Sequence, residues 1–266
     1  MPQNCIFCNR PGKKTKEHLW PVWMHPYLSR QGELKHKRGQ HTSLLGEEVS
    51  SKSLERQGHL SSIRLRVVCK ICNSGWMSRL ESKTKPILVN ILTENSVLLT
   101  ASELETLAQW IAMKAITGEH AEPEIFVTPI SDRIVFQSEL EIPSYFEIYI
   151  GSHNHAENTA WLRRSHTMAL SPNGPTPPLN GLQRNTQTIA MFCGPIFILV
   201  IAIRLEGIKP KDIFQFKKLK KIFPLSNCEL NWPTAPIINQ SDLSRFSNIL
   251  DELGNLPNVH HLPEIP

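Results

Sequence analysis

The sequence predicts an α+β protein: a small cysteine-organised module, then a helical segment, then an antiparallel, β-rich domain closed by a C-terminal helix. Three observations predict it. Two C-x-x-C pairs, Cys5-Ile-Phe-Cys8 and Cys69-Lys-Ile-Cys72, lie in the first third of the 266-residue chain. Apolar residues recur at helical spacing between residues 102 and 118. Beyond about residue 123, short β-like runs are divided by Pro, Gly and Asn, with no helical crossovers of the length a parallel sheet requires.

Taken in order, residues 1–90 form the cysteine module, with 19–68 as a polar insertion between its two pairs. Residues 91–120 form a helical connector and 121–266 the β-rich domain. Pro11-Gly12 supplies a turn after the first pair, and a short strand follows. Ile63-Arg-Leu-Arg-Val-Val68 alternates apolar and charged residues, as a half-buried strand does. The second pair opens a helix through Trp76, Met77, Leu80 and Glu81. Pro86 suits the first turn of the next helix, ending near Glu94. Ser102-Glu-Leu-Glu105 has the form of a capping box, and Leu104, Leu107, Ala108, Ile111, Ala112 and Ala115 fall on one face of the helix behind it. Strands are expected at Glu124–Thr128, Tyr145–Ile150, Trp161–Ala169, Thr186–Phe192 and Ile196–Arg204, with a loop from Pro172 to Pro178. Ser241 or Asp242 caps a last helix through Leu243, Phe246 and Ile249, stopped by Gly254.

Charge is distributed unevenly. Residues 1–90 hold 16 Lys/Arg against 6 Asp/Glu, whereas 91–266 hold 13 against 18. A basic N-terminal region inside a chain of net charge +5 points to a polyanionic partner, or else to a solvated basic face. The longest apolar run, Pro195 to Ile203, is too short to span a bilayer, so no membrane partner is expected. The N-terminus has no apolar core of a signal peptide, which makes a cytoplasmic location the expectation.

In such a location disulfides are rare. Two residues between thiolates let both sulfurs of one turn reach a single tetrahedral zinc, and two such turns complete the shell. Cys5, Cys8, Cys69 and Cys72 are therefore the expected ligands of a structural zinc. Cys193 and Cys228 lack close partners and are expected as buried apolar thiols.

Nine residues after Cys8 the chain reads Glu17-His18-Leu-Trp-Pro21, and Asn73 directly follows the second pair. With its two C-x-x-C pairs, this stretch resembles the zinc-stapled, treble-clef form of the HNH nuclease superfamily over about residues 5–80. The resemblance implies an endonuclease that hydrolyses nucleic acid, DNA in the first place. His18 would be the general base, while Glu17 and Asn73 would hold a Mg²⁺ or Mn²⁺ ion. Arg64, Leu65 and Arg66 stand where that family carries its central Asn. Without catalysis, the same residues describe a zinc scaffold that binds nucleic acid. Glu17 is then a surface carboxylate, His18 a core-edge histidine and Asn73 a helix cap. In either case Lys13, Lys14, Lys16, Arg64, Arg66, Lys70 and Arg79 are the candidate phosphate contacts. Trp20, Trp23 and Trp76 are read as packing around the metal, with base stacking as the alternative. A second group, Lys209, Lys211, Lys217, Lys218, Lys220 and Lys221, either extends the basic track or solvates a loop.

Overall fold

The apolar run Ile196–Ile203 forms a strand buried along its whole length, and its two faces show why it has no alternation of polarity. Ile196, Ile198, Val200 and Ala202 belong to one hydrophobic core, while Phe197, Leu199, Ile201 and Ile203 belong to another on the opposite side. A strand covered on both faces needs apolar residues at every position.

The computed structural model describes residues 4–28, 35–44, 47–57, 63–93, 95–121, 126–154, 159–170, 184–205, 216–225, 229–247, 249 and 259–262. The strands are β1 (Lys14–His18), β2 (Lys35–Leu44), β3 (Glu47–Gln57), β4 (Arg64–Cys69), β5 (Val97–Thr100), β6 (Phe146–Ser152), β7 (Ala160–Leu170), β8 (Thr186–Cys193), β9 (Ile196–Ile203), β10 (Lys220–Phe223), β11 (Glu229–Trp232) and β12 (Val259–Leu262). The helices are α1 (Lys70–Cys72), α2 (Ser78–Leu92), α3 (Ala101–Glu119), α4 (Ile130–Glu139) and α5 (Gln240–Ser247), with a 3-10 helix at Val22–Tyr27. Mixed helix and antiparallel sheet is the architecture the sequence predicts. Six strands form one antiparallel sheet in the order β10-β6-β9-β8-β7-β12, and β1–β4, β2–β3 and β5–β11 form separate pairs.

The larger core takes members from all three expected segments, from Cys5 and Phe7 through Trp110 and Ile111 of α3 to Trp232. Helix α3 is wrapped by apolar contacts along most of its length. The second core lies between the other face of the sheet and α5, through Phe197, Leu243 and Phe246.

Several elements depart from expectation. Pro86 lies inside α2 instead of opening a new helix. Both Pro86 and Ser82, whose carbonyl loses its N–H partner, are exposed, so water can replace the missing bond. The capping box of α3 is Thr100 with Glu103, two residues earlier than Ser102 with Glu105: Thr100 Oγ1 accepts from Glu103 N and the Glu103 carboxylate accepts from Thr100 N. Thr100 is also the last, extended residue of β5, which fixes where the helix starts. No strand occupies 126–128. There the Val127 and Thr128 N–H groups, both at 2.9 Å, are taken by the Glu119 carboxylate, and α4 follows. Segment 124–125 lies outside the described residues. Asn239, not Ser241 or Asp242, caps α5. Its Oδ1 accepts from Asp242 N at 3.0 Å, and the Asp242 carboxylate accepts from Asn239 N at 2.9 Å. The polar insertion contains the β2–β3 hairpin, and the Pro172–Pro178 loop lies outside the described residues.

Gly118 shows how tightly these parts meet. A Cβ there would lie 2.5 Å from Trp161 Cζ2, and the Trp161 ring in turn packs edge-on to Trp20 at 5.7 Å. In an exposed helix, Gly→Ala stabilises by about 1 kcal/mol. Here Gly118→Ala is expected to destabilise by about 1–3 kcal/mol, because the half-buried indole packed against the core has to move. Urea denaturation checks this, and a variant as stable as the parent would show that the indole has room to shift.

Candidate metal centre and nucleic-acid interface

The first cysteine pair sits on a tight turn. Asn9 N donates to Cys5 O at 2.9 Å and Cys5 N to Arg10 O at 3.0 Å, with Asn9 in the left-handed region at φ 53. Ile6 N donates to Val67 O at 3.1 Å, which ties this turn to β4. The second pair spans the junction of β4 and α1. Cys69 ends the strand in extended conformation and its Sγ caps the helix by accepting from Cys72 N. Cys69 N donates to Cys5 Sγ at 3.3 Å, so backbone donors already face the sulfurs.

The sulfurs of Cys5, Cys8, Cys69 and Cys72 all lie within 4.8 Å of one another, and Cys8 and Cys69 are 3.7 Å apart. Tetrahedral zinc with sulfur at about 2.3 Å sets neighbouring sulfurs about 3.8 Å apart, so the cluster fits such an ion. Burial pushes the Cys5 thiol up, but N–H donors from Cys8, Cys69 and Phe7 outweigh it and leave its pKa at about 7. Burial raises Cys8 and Cys72. A metal would offset that cost by holding the thiolates. Cys193 is 1% exposed and pushed up to about 12 by burial, as an inert core thiol should be. Cys228 lies outside the described residues.

Helix α1 does not continue directly into α2. Asn73–Met77 forms a π turn broken at Gly75, and Asn73 therefore lies one turn inside the helical segment instead of capping it. Its Nδ2 donates to Thr15 Oγ1 at 2.8 Å, and that hydroxyl donates to Val68 O at 3.1 Å. Since the Thr15 hydroxyl proton is already engaged, the hydroxyl can only accept from Asn73. This fixes the amide orientation and turns Oδ1 away from Thr15.

Strands β1 and β4 pair through Thr15–Val68, Glu17–Leu65 and His18–Arg64, with a register shift between Thr15 and Glu17. Glu17 is not a surface carboxylate. It is 7% exposed, and its Oε1 accepts from Lys114 Nζ of α3 at 2.6 Å. His18 is half-buried, with its ring 5.9 Å from that of His25, and His25 lies 3.3 Å from Trp20 O through Nε2. The His18 Nε2 is shielded from solvent and has no hydrogen-bond partner among the described residues. Burial first, then the Arg64 guanidinium, hold the His18 pKa below its ordinary value, while Glu17 acts in the opposite sense. No hydrogen bond joins Glu17, His18 and Asn73 to one another among the described residues.

Lys114 and Glu81 are the groups sequence reasoning did not place at this site. A signal existed for Lys114: it lies three residues after Ile111 and seven after Leu107, on the same helical face as the predicted core.

Of the candidate phosphate contacts, Lys13, Lys16, Arg64, Arg66, Lys70 and Arg79 are exposed and Lys14 is half-buried, its Nζ donating to Gly12 O at 2.8 Å. Arg64 and Arg66 occupy the exposed alternate positions of β4, and Lys16 is exposed on β1. Trp20 and Trp76 are packing residues. Trp76 meets Phe7 at 4.9 Å and Phe136 at 5.7 Å, both edge-on. Trp23 is half-buried beneath the Lys85 ammonium. In the second lysine group, Lys218 pairs with Asp242 at 2.6 Å and Lys221 with Glu147 at 3.0 Å. Lys209 and Lys211 lie outside the described residues. Among the described residues no helix is long and apolar enough to cross a membrane. Comparison with protein-family models, curated proteins and solved structures found no match.

Proposed function

We propose that this chain is an HNH-like, zinc-stapled protein that binds nucleic acid, DNA in the first place, through the β1–β4 hairpin and the helical segment after it. One observation carries the reading: the hairpin clamped by Cys5, Cys8, Cys69 and Cys72 presents Lys16, Arg64, Arg66 and Lys70 at exposed positions. The zinc would fasten the treble-clef turn to strand and helix. It would thereby hold these cations at fixed spacing, and fixed cations match the regular charge of a phosphate backbone.

Phosphodiester hydrolysis is the second reading, favoured by His18. Its lowered pKa keeps the imidazole neutral at pH 7, and because Nε2 is shielded from solvent, Nδ1 is the ring nitrogen that would meet a water. In that reading His18 takes the proton of the attacking water, and the neighbouring guanidiniums offset charge on the phosphate oxygens.

The test is a salt titration of duplex DNA and of RNA against the zinc-loaded chain, followed by a nicking assay in Mg²⁺ or Mn²⁺. Neutralising Arg64 and Arg66 with glutamine is expected to weaken binding across sequences and make the salt slope shallower by about 2. Binding without nicking supports the first reading. Nicking that His18→Ala lowers by about 10²–10⁴-fold supports the second. A chain that binds neither polymer at low salt defeats both and favours an interaction role for the β-rich half.

A further inference from the structure

Lys114 is fully buried on α3, yet it faces three oxygens from two other elements. Its Nζ lies 2.6 Å from Glu17 Oε1, 3.1 Å from His18 O and 3.5 Å from Glu81 Oε2. The first two come from the end of β1 and the third from α2. The Trp110 ring, 6.0 Å from Nζ, adds its π-face. An ammonium has three donors and no acceptor, so three surrounding oxygens match its needs. Two carboxylates and a carbonyl around one point are also the ligand chemistry of a hard divalent cation. The HNH resemblance places such a cation at Glu17, and the residues present do not fit it there, because an ammonium already fills the space between the oxygens.

The geometry points to Lys114 as the resident cation of the Glu17–His18 motif. It is a positioning residue whose ammonium fills an oxygen cage and excludes a divalent ion from Glu17. One side chain holds the Glu17 carboxylate and the His18 carbonyl together, which sets the end of β1 and with it the backbone that carries the His18 ring. Mg²⁺ binds oxygen at about 2.0–2.1 Å and Ca²⁺ at about 2.3–2.6 Å, so an ion on these three oxygens would overlap Nζ. Ion and ammonium are therefore alternatives. Losing the lysine should leave a cage of charge −2 with room for a cation and its waters. This inference does not depend on nucleic-acid binding, and its test contains no nucleic acid, so each can fail without the other.

The test is Mn²⁺ binding to the zinc-loaded full chain, read by the loss of the free-ion EPR signal. The parent and Glu17→Gln are expected to bind Mn²⁺ alike, with no site that depends on Glu17. Lys114→Ala is expected to gain one equivalent, and Lys114→Ala with Glu17→Gln to lose it again. If removing the lysine loosens the fold, Mn²⁺ should raise the melting temperature of Lys114→Ala and leave that of the double variant unchanged. A parent chain that binds one Mn²⁺ equivalent abolished by Glu17→Gln overturns the inference, because Glu17 is then a cation ligand beside Lys114. A Lys114→Ala chain that Mn²⁺ neither binds nor stabilises overturns it as well, because the three oxygens then form no cage.

Discussion

Cys69→Ser is expected to unfold the N-terminal module outright and to release its metal. The Cys69 sulfur holds three parts of the structure at once. It lies in the four-sulfur cluster, it caps α1 through Cys72 N, and its residue ends β4 beside the first cysteine turn. Serine can repeat the cap but is a poor zinc ligand. Structural zinc contributes apparent free energies of about 10–16 kcal/mol, comparable to the whole stability of an ordinary domain. Cys5→Ser should behave alike, because Cys5 Sγ accepts from Cys69 N across the two halves of the cluster. Metal analysis and hydrogen exchange over residues 4–28 and 63–92 provide the readout. A parent chain without zinc, or a Cys69→Ser chain with full metal content and unchanged protection, would remove the zinc from this account.

The second large effect concerns acid. His120 closes α3, is 9% exposed, stacks on Phe126 and lies 2.8 Å from Arg133 through Nε2. Burial, then the positive charges of Arg133 and Arg163, lower its pKa to about 3. An unfolded histidine titrates near 6.5, so below that pH the unfolded chain carries a proton the folded chain refuses. This stabilising contribution is therefore complete above 6.5 and is lost as the pH falls toward 3. The loss reaches on the order of 4–5 kcal/mol at the acid end, and about 2–3 kcal/mol by pH 4.5. His120→Gln keeps an acceptor for Arg133 but has nothing to protonate, so its stability should be flatter between pH 7 and 4.5. Urea denaturation of both proteins at these pH values decides it, and parallel curves would mean that His120 takes its proton without opening the structure.

Much of the fold was legible because its signals are local. Of the five strands expected beyond residue 123, four appear, since β-like runs bounded by Pro, Gly and Asn carry their own boundaries. The errors fall where a local pattern had two solutions. Thr100-Ala-Ser-Glu103 and Ser102-Glu-Leu-Glu105 both have the form of a capping box, and the pairing of β5 with β11 chose the first. Val127 and Thr128 look like strand residues, but the buried Glu119 carboxylate took their N–H groups. The short strands β5, β10 and β11 could not be read, because four residues carry no period and their partners are distant in the chain.

By itself the sequence determined the cysteine cluster and the mix of helix and antiparallel sheet, together with the basic bias of the N-terminal region. Ligand spacing, side-chain periodicity and charge are properties of short stretches, and folding preserves them. Only the tertiary structure decided what the Glu17–His18 motif meets. Glu17 and Lys114 are 97 residues apart, and nothing in the local spacing of either predicts the other. Removing both charges from water is unfavourable unless they meet. The packing of α3 against the hairpin therefore brings them together, and it also decides which cation Glu17 holds.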